Sequence, residues 1–528
     1  MKKHIFVWVL LLSTITSLAQ IHISVDDPAT WTTQALVPYI GQTVVFDAPI
    51  VVCSNARSEL TVSPRRMFTP SNQAYPLTSS YKSVVSLNSS GAMNLSGVSG
   101  YHRCGEKIYN LTARVNSATS LSWISGTWKG NTRAELEAGI PDLGDYTLLI
   151  CAMNLEYYLT YNTGSGGMGP RSYSEHQQQR EKINKALTRI NADAYGFVEI
   201  ESGDYALQEI ADDLNAKLPG RNYVIISDGT SPNGTYTKAG YVYDSKKLEP
   251  VGKIQEINDK VSNRKKMICF EEIDDEGKKT GEQFIFSINH FKAKSGSGTG
   301  PDANQGDGQG GFNATRVAEA HAVIDHYKRY RQALGEQDIL VMGDLNAYAK
   351  EDPITCFTAA GMLDLHRAFH ADSSYSYQFS GLAGYLDHAI CSGSLFPQVT
   401  GVAGFHINSD ELDDYTYDKS SDHTMFRCSD HDPVLVGLKL DGTKTYDPSP
   451  AINGAEIIDG TANVITISNA IKGESPAYYA IYSIDGTLIE QKEIVDTYQQ
   501  VDLPTTTGLY IVYIYSEGKV YQRKIIVP

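Results

Sequence analysis

Six apolar runs in this chain end in side chains able to do chemistry. LLICAMN stops at Asn154, AYGFVEIE at Glu199 and Glu201, and FIFSINHFKAK delivers Asn289, His290, Lys292 and Lys294. DILVMGDLNAY supplies Asp344 and Asn346, GYLDHAI contains Asp387 and His388, and SDHDP sets Asp430, His431 and Asp432 before a strand-forming run. Asn154, Glu199 and Asp430 are hard oxygen donors, which suit Mg²⁺ or Ca²⁺ rather than zinc. The histidines can gain and lose protons near neutral pH, and the basic side chains can meet an anion. One reaction uses all of these parts: metal-assisted hydrolysis of a phosphate ester. The cation neutralises phosphate charge. A histidine held by a carboxylate takes a proton from water while a second protonates the leaving group. Asp387 is a candidate for orienting one imidazole.

Strand ends are where α/β sheets place ligands, because the sheet is rigid and the loops beyond it vary. Residues 149–440 have the matching pattern of amphipathic helices alternating with short apolar strands. A capping box at Ser174 and Gln177 predicts a helix with Ile183, Leu187 and Ile190 on one face. A second helix is expected from Asp204, with Leu207, Ile210, Leu214 and Leu218 at helical spacing. Before this region, residues 20–148 read as an all-β domain, and DGTKTYDPSPAING at 441–454 reads as a linker. Residues 455–528 are β again, with hairpin signals at Asp485-Gly486 and Glu517-Gly518. The loop SGSGTGPDANQGDGQGG lacks a P-loop lysine, so a cover over substrate is a better reading than a phosphate cradle. Asn313 and Arg316 lie at its far end.

Lys2 and Lys3, the run IFVWVLLL and the small-residue site Ser17-Leu18-Ala19 make residues 1–19 a signal peptide. The expected location is therefore extracellular or at the cell surface. No later stretch reaches about 18 consecutive apolar residues, so no stable membrane insertion is expected. A net charge of −16 counts against a protein that coats DNA by wrapping phosphates. It does not exclude an enzyme whose charge is locally neutralised by a metal ion. The seven cysteines are widely spaced, with no CxxC; export permits disulfides, but pairing is not legible.

NLEYY, FVEIES, INHFKAK, MGDLNAY, GYLDHAI and SDHDP, in that order, resemble the motif series of the endonuclease/exonuclease/phosphatase superfamily, which contains pancreatic deoxyribonuclease. QQREKINKALTRINADAYGFVEIES, NHFKAKSGSG, DGQGGFNATR and GDLNAYAKEDPI are similar to the secreted bacterial extracellular nucleases within it. The resemblance spans about residues 149–440. It implies a four-layer α/β sandwich of two mixed β-sheets with outer helices. It also implies a divalent metal, Mg²⁺ or alternatively Ca²⁺ or Mn²⁺, surrounded by Asn154, Glu199 and Asp430. Asp344 and Asn346 would position phosphate and attacking water. His290 and His431 would form the acid/base pair, with Asp387 supporting His431. Arg264 would contact phosphate, and Lys238, Lys292, Asn313 and Arg316 are the further expected substrate contacts. Tyr157 stands where the family often has a second asparagine, and Tyr236 and Lys238 stand near a missing acidic residue.

The N-terminal segment resembles the β-barrel, oligonucleotide-binding-like, that precedes the catalytic domain in these nucleases. The C-terminal β-sandwich, with YAIYSIDGTLIEQ, GLYIVYIY and KIIV, resembles a type IX secretion sorting domain. That likeness implies the secretion machinery as a partner. The expected activity is hydrolysis of extracellular DNA, with RNA as a further nucleic acid substrate. A phosphodiesterase or phosphatase acting on lipid or small esters is the enzymatic alternative. A non-catalytic nucleic-acid-binding surface protein is the other, and the intact His290, Asp344 and His431 speak against it.

Overall fold

The structure, a computed structural model, describes residues 20–28, 31–55, 59–69, 91–164, 167–232, 237–257, 264–370 and 373–440, and then 456–461, 464–468, 477–483, 487–495, 498–504, 506, 508–516 and 519–527. The expected leader (1–19), the linker (441–454), Tyr236 and the turns Asp485-Gly486 and Glu517-Gly518 lie outside these residues.

Alternation along single strands creates the layers. On the strand Leu148–Tyr158, Leu148, Ile150 and Ala152 face one core while Leu149, Cys151 and Met153 face another, as a side-chain period of two requires. On Lys279–His290, Phe284, Phe286 and Ile288 enter the same central core, whereas Ile285 enters a third. Two mixed six-stranded sheets thus share one interior. The first runs, in spatial order, Tyr223–Ile225, Thr237–Asp244, Ala194–Glu201, Leu148–Tyr158, Val434–Leu438, Val399–Gly404. The second runs Leu248–Glu256, Lys265–Ile273, Lys279–His290, Ile339–Asp344, Asp387–Ser392, Met362–Asp364. The helices Tyr173–Ile190 and Tyr205–Lys217 cover the first sheet. Asn313–Leu334 and Asp352–Ala359 cover the second, completing the four layers.

The first helix starts earlier than the capping box at Ser174 predicts. Ser172 is the N-cap, with its Oγ accepting from Glu175 N at 3.2 Å, and the Glu175 carboxylate accepts from Arg171 N. Ser174 is already inside the helix. In the second helix Leu218 is the C-cap rather than a helical residue.

Five strands before this sandwich close on themselves: Ile50–Asn55, Glu59–Ser63, Met93–Ser96, Ser120–Lys129 and Lys107–Ser117, which returns to the first. The ring encloses Val52, Val62, Leu95, Ile108 and Leu121, and closure leaves its strands without free edges. Ionic contacts bind this barrel to the sandwich. Asp410, from the sandwich, meets Arg66 at 2.6 Å and Asn131 Nδ2 at 2.7 Å. Its neighbour Glu411 meets Arg103 at 2.6 Å and Arg133 at 2.5 Å. Both acids are fully buried, a position that charged groups hold only when paired.

The C-terminal region forms a three-stranded and a four-stranded sheet that enclose Tyr479, Ile481, Val501, Val512 and Ile514. The strands on either side of each expected hairpin turn are antiparallel neighbours. The opposite face of the larger sheet sends Ala480, Tyr482 and Tyr515 into the central core of the sandwich. All seven cysteines are free thiols, and all but Cys356 are buried. Among the described residues no helix is long and apolar enough to cross a membrane.

Gly343 shows how tightly the second sheet is built. Its φ is 118°, and a Cβ there would lie 2.1 Å from the Asn289 carbonyl oxygen, in a region that side chains other than hydrogen rarely enter. Gly343→Ala is expected to cost at least about 2 kcal/mol of stability, read as a lower denaturant midpoint, and to disturb His290 and Asp344 beside it.

Candidate active site

Backbone pairing assembles half of the site. His290 is the register partner of Asp344 on the parallel strand beside it, and Asp344 is the partner of Asp387 on the next, antiparallel strand. The other half comes from the first sheet, where Asn154 and Glu199 lie toward the ends of parallel neighbours and His431 precedes the antiparallel strand Val434–Leu438. The ladder between Asn154 and Tyr158 is broken by a bulge. Within it Glu156 and Tyr157 have φ of 50° and 57°, and Glu199 and Asn346 have φ of 57° and 48°. Left-handed backbone at non-glycine residues costs energy and collects at functional sites.

The side chains converge on Asp344. Its Oδ2 lies 3.6 Å from His290 Nε2 and 4.0 Å from His431 Nε2. Asn154 Nδ2 and Asn346 Nδ2 each lie 3.2 Å from the same oxygen, and Asn346 N donates to Oδ1 at 2.9 Å. His290 Nε2 is also 3.5 Å from Glu199 Oε1, and His431 Nε2 is 3.9 Å from Asp430 Oδ2. His431 Nδ1 meets Asp387 Oδ2 at 2.6 Å, which fixes the ring and leaves Nε2 facing the site. Arg264 Nη2 lies against the other imidazole, 2.6 Å from Nδ1 and 3.0 Å from Nε2 of His290.

The two histidines have opposite surroundings. Burial, Arg264 and His431 hold His290 well below the ordinary imidazole range, so it is neutral at pH 7. Burial also pushes His431 down, but Asp387, Asp430 and Asp344 overcome it and hold His431 well above that range. A carboxylate-held histidine was expected to accept the proton from water. Without a cation, these surroundings favour the neutral form of His290 and the protonated form of His431.

The carboxylates crowd one another. Burial, Asp430 and Asp344 push Glu199 up to about 8. Burial and Asp430 push Glu156 up to about 8 as well. Asp344 rises to about 6 through burial, despite the opposing pull of His431, with Asp387 and Asp430 adding to the rise. Hard oxygens that destabilise one another's charge fit a divalent cation, which would relieve the repulsion. Asp344, Asp387 and His431 also offer ligand atoms within 4.8 Å of one another. Asp387 Oδ2, however, is already committed to His431 and to Ser376 Oγ, at 2.6 Å each, so this trio reads as a proton-handling unit. The expected cation ligands Glu199 and Asp430 lie in this acidic pocket, and Glu156 feels the charge of both. Asn154 presents Nδ2 to Asp344 while its Oδ1 accepts from Glu156 N at 2.9 Å. It thus steers Asp344 through Nδ2, while Oδ1 keeps a second lone pair for the expected cation.

Three expected substrate contacts have other partners. Lys238 Nζ is buried and lies 3.0 Å from both carboxylate oxygens of Asp228, which is shared with Lys266. Arg316 is buried and donates to the backbone carbonyls of Lys292, Gly311 and Gln309. It therefore pins the glycine-rich loop that was expected to act as a cover. Asn313 Nδ2 donates to Asp352 at 2.8 Å. Arg264 is in the site, and half-buried Lys292 sits 4.5 Å over the Phe312 ring. His388 Nε2 donates to the backbone at Ala347 O, 2.7 Å away, and Glu201 is consumed by the amides of Thr160, Tyr161 and Asn162. Asn346 holds Asp344 and donates to Phe291 O.

Sequence reasoning missed several contributors. Ser429 Oγ donates to Asn154 O at 2.7 Å, tying SDHDP to the facing strand end. Its place beside Asp430 was a usable signal. Glu156 lies two residues past Asn154 and could have been noticed for the same reason. Ser376 and Tyr377, whose ring centroid is 4.6 Å from that of His431, come from SSYSYQFSG, a stretch with no distinguishing spacing.

Two buried imidazoles and an acidic pocket at rigid strand ends are the parts that hydrolysis of a phosphate ester requires. The model of the endonuclease/exonuclease/phosphatase family matches residues 159–431, and the chain belongs to this family. No curated protein matches the chain. Similar solved structures include an endonuclease/exonuclease/phosphatase from Bacteroides vulgatus, 16% identical, covering 56% of this chain and 99% of that one with a TM-score of 0.37. A family protein from Bacteroides thetaiotaomicron is 16% identical over 56% of this chain and 98% of its own, TM-score 0.38. The human nocturnin catalytic domain with bound sulfate is 13% identical over 56% and 94%, TM-score 0.37.

The raised Glu199 carboxyl gives a pH prediction. With the folded value near 8 and an ordinary unfolded value, the folded state holds an extra proton between the two, so stability without a cation declines as pH rises across that window. A divalent cation competes with that proton. Added Mg²⁺ or Mn²⁺ is expected to raise Tm more at pH 8 than at pH 5, and Glu199→Gln should flatten that difference in thermal scans.

Proposed function

We propose that the protein is a secreted, divalent-metal-dependent nuclease that hydrolyses phosphodiester bonds in extracellular DNA, with RNA as a further substrate. One observation carries the reading: the Nε2 atoms of His290 and His431 address the same Asp344 oxygen at 3.6 and 4.0 Å. A water and a scissile phosphate between them would have a proton acceptor and a proton donor on opposite sides. Export rests on the leader-like residues 1–19 and the sorting-domain likeness of 455–528.

In this reading His290, kept neutral by burial and Arg264, accepts the proton of the attacking water. Asp344, fixed by Asn154 and Asn346, orients that water. His431, aligned by Asp387, donates to the departing oxygen. Arg264 and Lys292 place positive charge beside an acidic pocket, which a polyanionic substrate requires in a chain of net charge −16. Asn154, Glu199 and Asp430 would hold Mg²⁺, or Ca²⁺ or Mn²⁺, and such an ion would supply neutralisation of phosphate charge.

Purified protein is expected to degrade plasmid DNA and to stop when EDTA is added. His290→Ala and His431→Ala should each lower kcat by about 10²–10⁴-fold, with circular dichroism unchanged. Undegraded DNA together with turnover of a lipid or small phosphate ester would move the assignment to that substrate class. DNA retained without cleavage, indifferent to EDTA, would refute catalysis.

A further inference from the structure

The barrel reaches toward the catalytic histidine through a short hairpin. The strands Tyr377–Phe379 and Leu382–Gly384 pair with each other. On the outer side the barrel segment 66–69 adds to them: Ala383 N donates to Met67 O at 2.9 Å, Thr69 N donates to Ala383 O at 2.8 Å, and Phe68 bridges Ala383. On the inner side the Tyr377 ring packs on His431. The foot of the hairpin, Ser376, donates through Oγ to Asp387 Oδ2 at 2.6 Å, and its carbonyl accepts from Asp432 N at 2.8 Å. Both neighbours of His431 that determine its placement, Asp387 and Asp432, are therefore tied to one serine whose flanking hairpin rests on another domain.

Arg66 is the barrel's principal grip. Its Nη2 lies 2.6 Å from Gln378 Oε1 in the hairpin and 2.6 Å from Asp410 Oδ1 in the sandwich. Gln378 Nε2 returns a bond to Cys53 O in the barrel at 2.8 Å. Tyr375, which lies under the Arg66 guanidinium at 4.8 Å, donates to Asp410 Oδ2 at 2.7 Å. Its ring stacks on His406 at 3.8 Å, and His406 Nδ1 sits 2.9 Å from Asp432 Oδ2. Two routes thus connect one barrel arginine to the residues on either side of His431, one through Gln378 and Ser376, the other through Tyr375, His406 and Asp432.

We propose that the N-terminal barrel positions the acid/base dyad: Arg66 and Gln378 are positioning residues that hold the hairpin, and thereby Asp387 and His431, in working alignment. This rests on the reading of His431 as an acid/base group. Partners that orient a catalytic side chain typically matter about 10–100-fold when removed. Gln378→Ala removes the side-chain half of the strap, its bonds to Arg66 and Cys53 O, while leaving the Ala383 backbone bonds and the Arg66–Asp410 pair intact, so it tests alignment without stranding a buried charge.

The experiment uses the full chain with Mg²⁺ and plasmid DNA, comparing Gln378→Ala, Arg66→Gln, His431→Ala and each of the first two combined with His431→Ala. Gln378→Ala and Arg66→Gln are expected to lower kcat by about 10–100-fold, to leave KM within about twofold, and to shift the pH profile of kcat. Neither should add to the loss caused by His431→Ala. If His431→Ala keeps full rate, the acid/base reading falls and this inference with it. If His431→Ala is slow but Gln378→Ala keeps the normal kcat and pH profile, the positioning role alone is overturned. Losses that add in the double variants would equally overturn it, because they would mark a general weakening of the fold. An Arg66→Gln chain that fails to fold leaves Gln378→Ala to decide.

Discussion

Lateral register in the second sheet is the constraint on which the site depends. His290, Asp344 and Asp387 stand abreast on three hydrogen-bonded strands, so their backbone positions are fixed by ladder pairing rather than by loop conformation. The facing sheet contributes Asn154, Glu199 and His431 at its own strand ends. A single interior, from Leu148 and Val198 to Phe286 and Met342, locks the two sheets together. Side-chain chemistry drawn from nearly three hundred positions can therefore be accurate, since close-packed interiors transmit placement with little slack. The left-handed residues Glu199 and Asn346 lie where this scaffold must turn sharply to aim a side chain.

Electrostatics then distinguishes two chemically identical imidazoles. His290 has an arginine against its ring, while His431 has carboxylates around it. The same burial acts on both, so the neighbours decide which ring keeps its proton. The acidic pocket and the basic edge are segregated within a few ångströms, which explains how a strongly acidic chain can still present a local address for an anion.

The sequence exposed the catalytic layers because period-two and helical patterns are strong in Leu148–Tyr158 and Tyr173–Ile190, and because each chemical residue follows an apolar run. Residues fixed by backbone pairing, such as His290 and Asp344, were therefore legible. Those defined by partner choice were not. Lys238 and Arg316 have the composition expected of phosphate contacts, yet Asp228 and a set of loop carbonyls claim them. Nothing in their local spacing distinguishes a buried structural cation from an exposed functional one. Ser376 was invisible for the converse reason, since an ordinary serine gains its role only from the fold that brings Asp387 to it. The division of protons between the histidines was equally hidden, because Arg264 meets His290 through tertiary structure.

The C-terminal sheet shares its aromatic underside with the catalytic interior, where Tyr515 stacks edge-on against Phe396 and the Tyr482 hydroxyl caps Gly361 O. Without these strands the sandwich would carry a greasy, tyrosine-shaped footprint on its flank, so the two parts stand or fall together as one packed body.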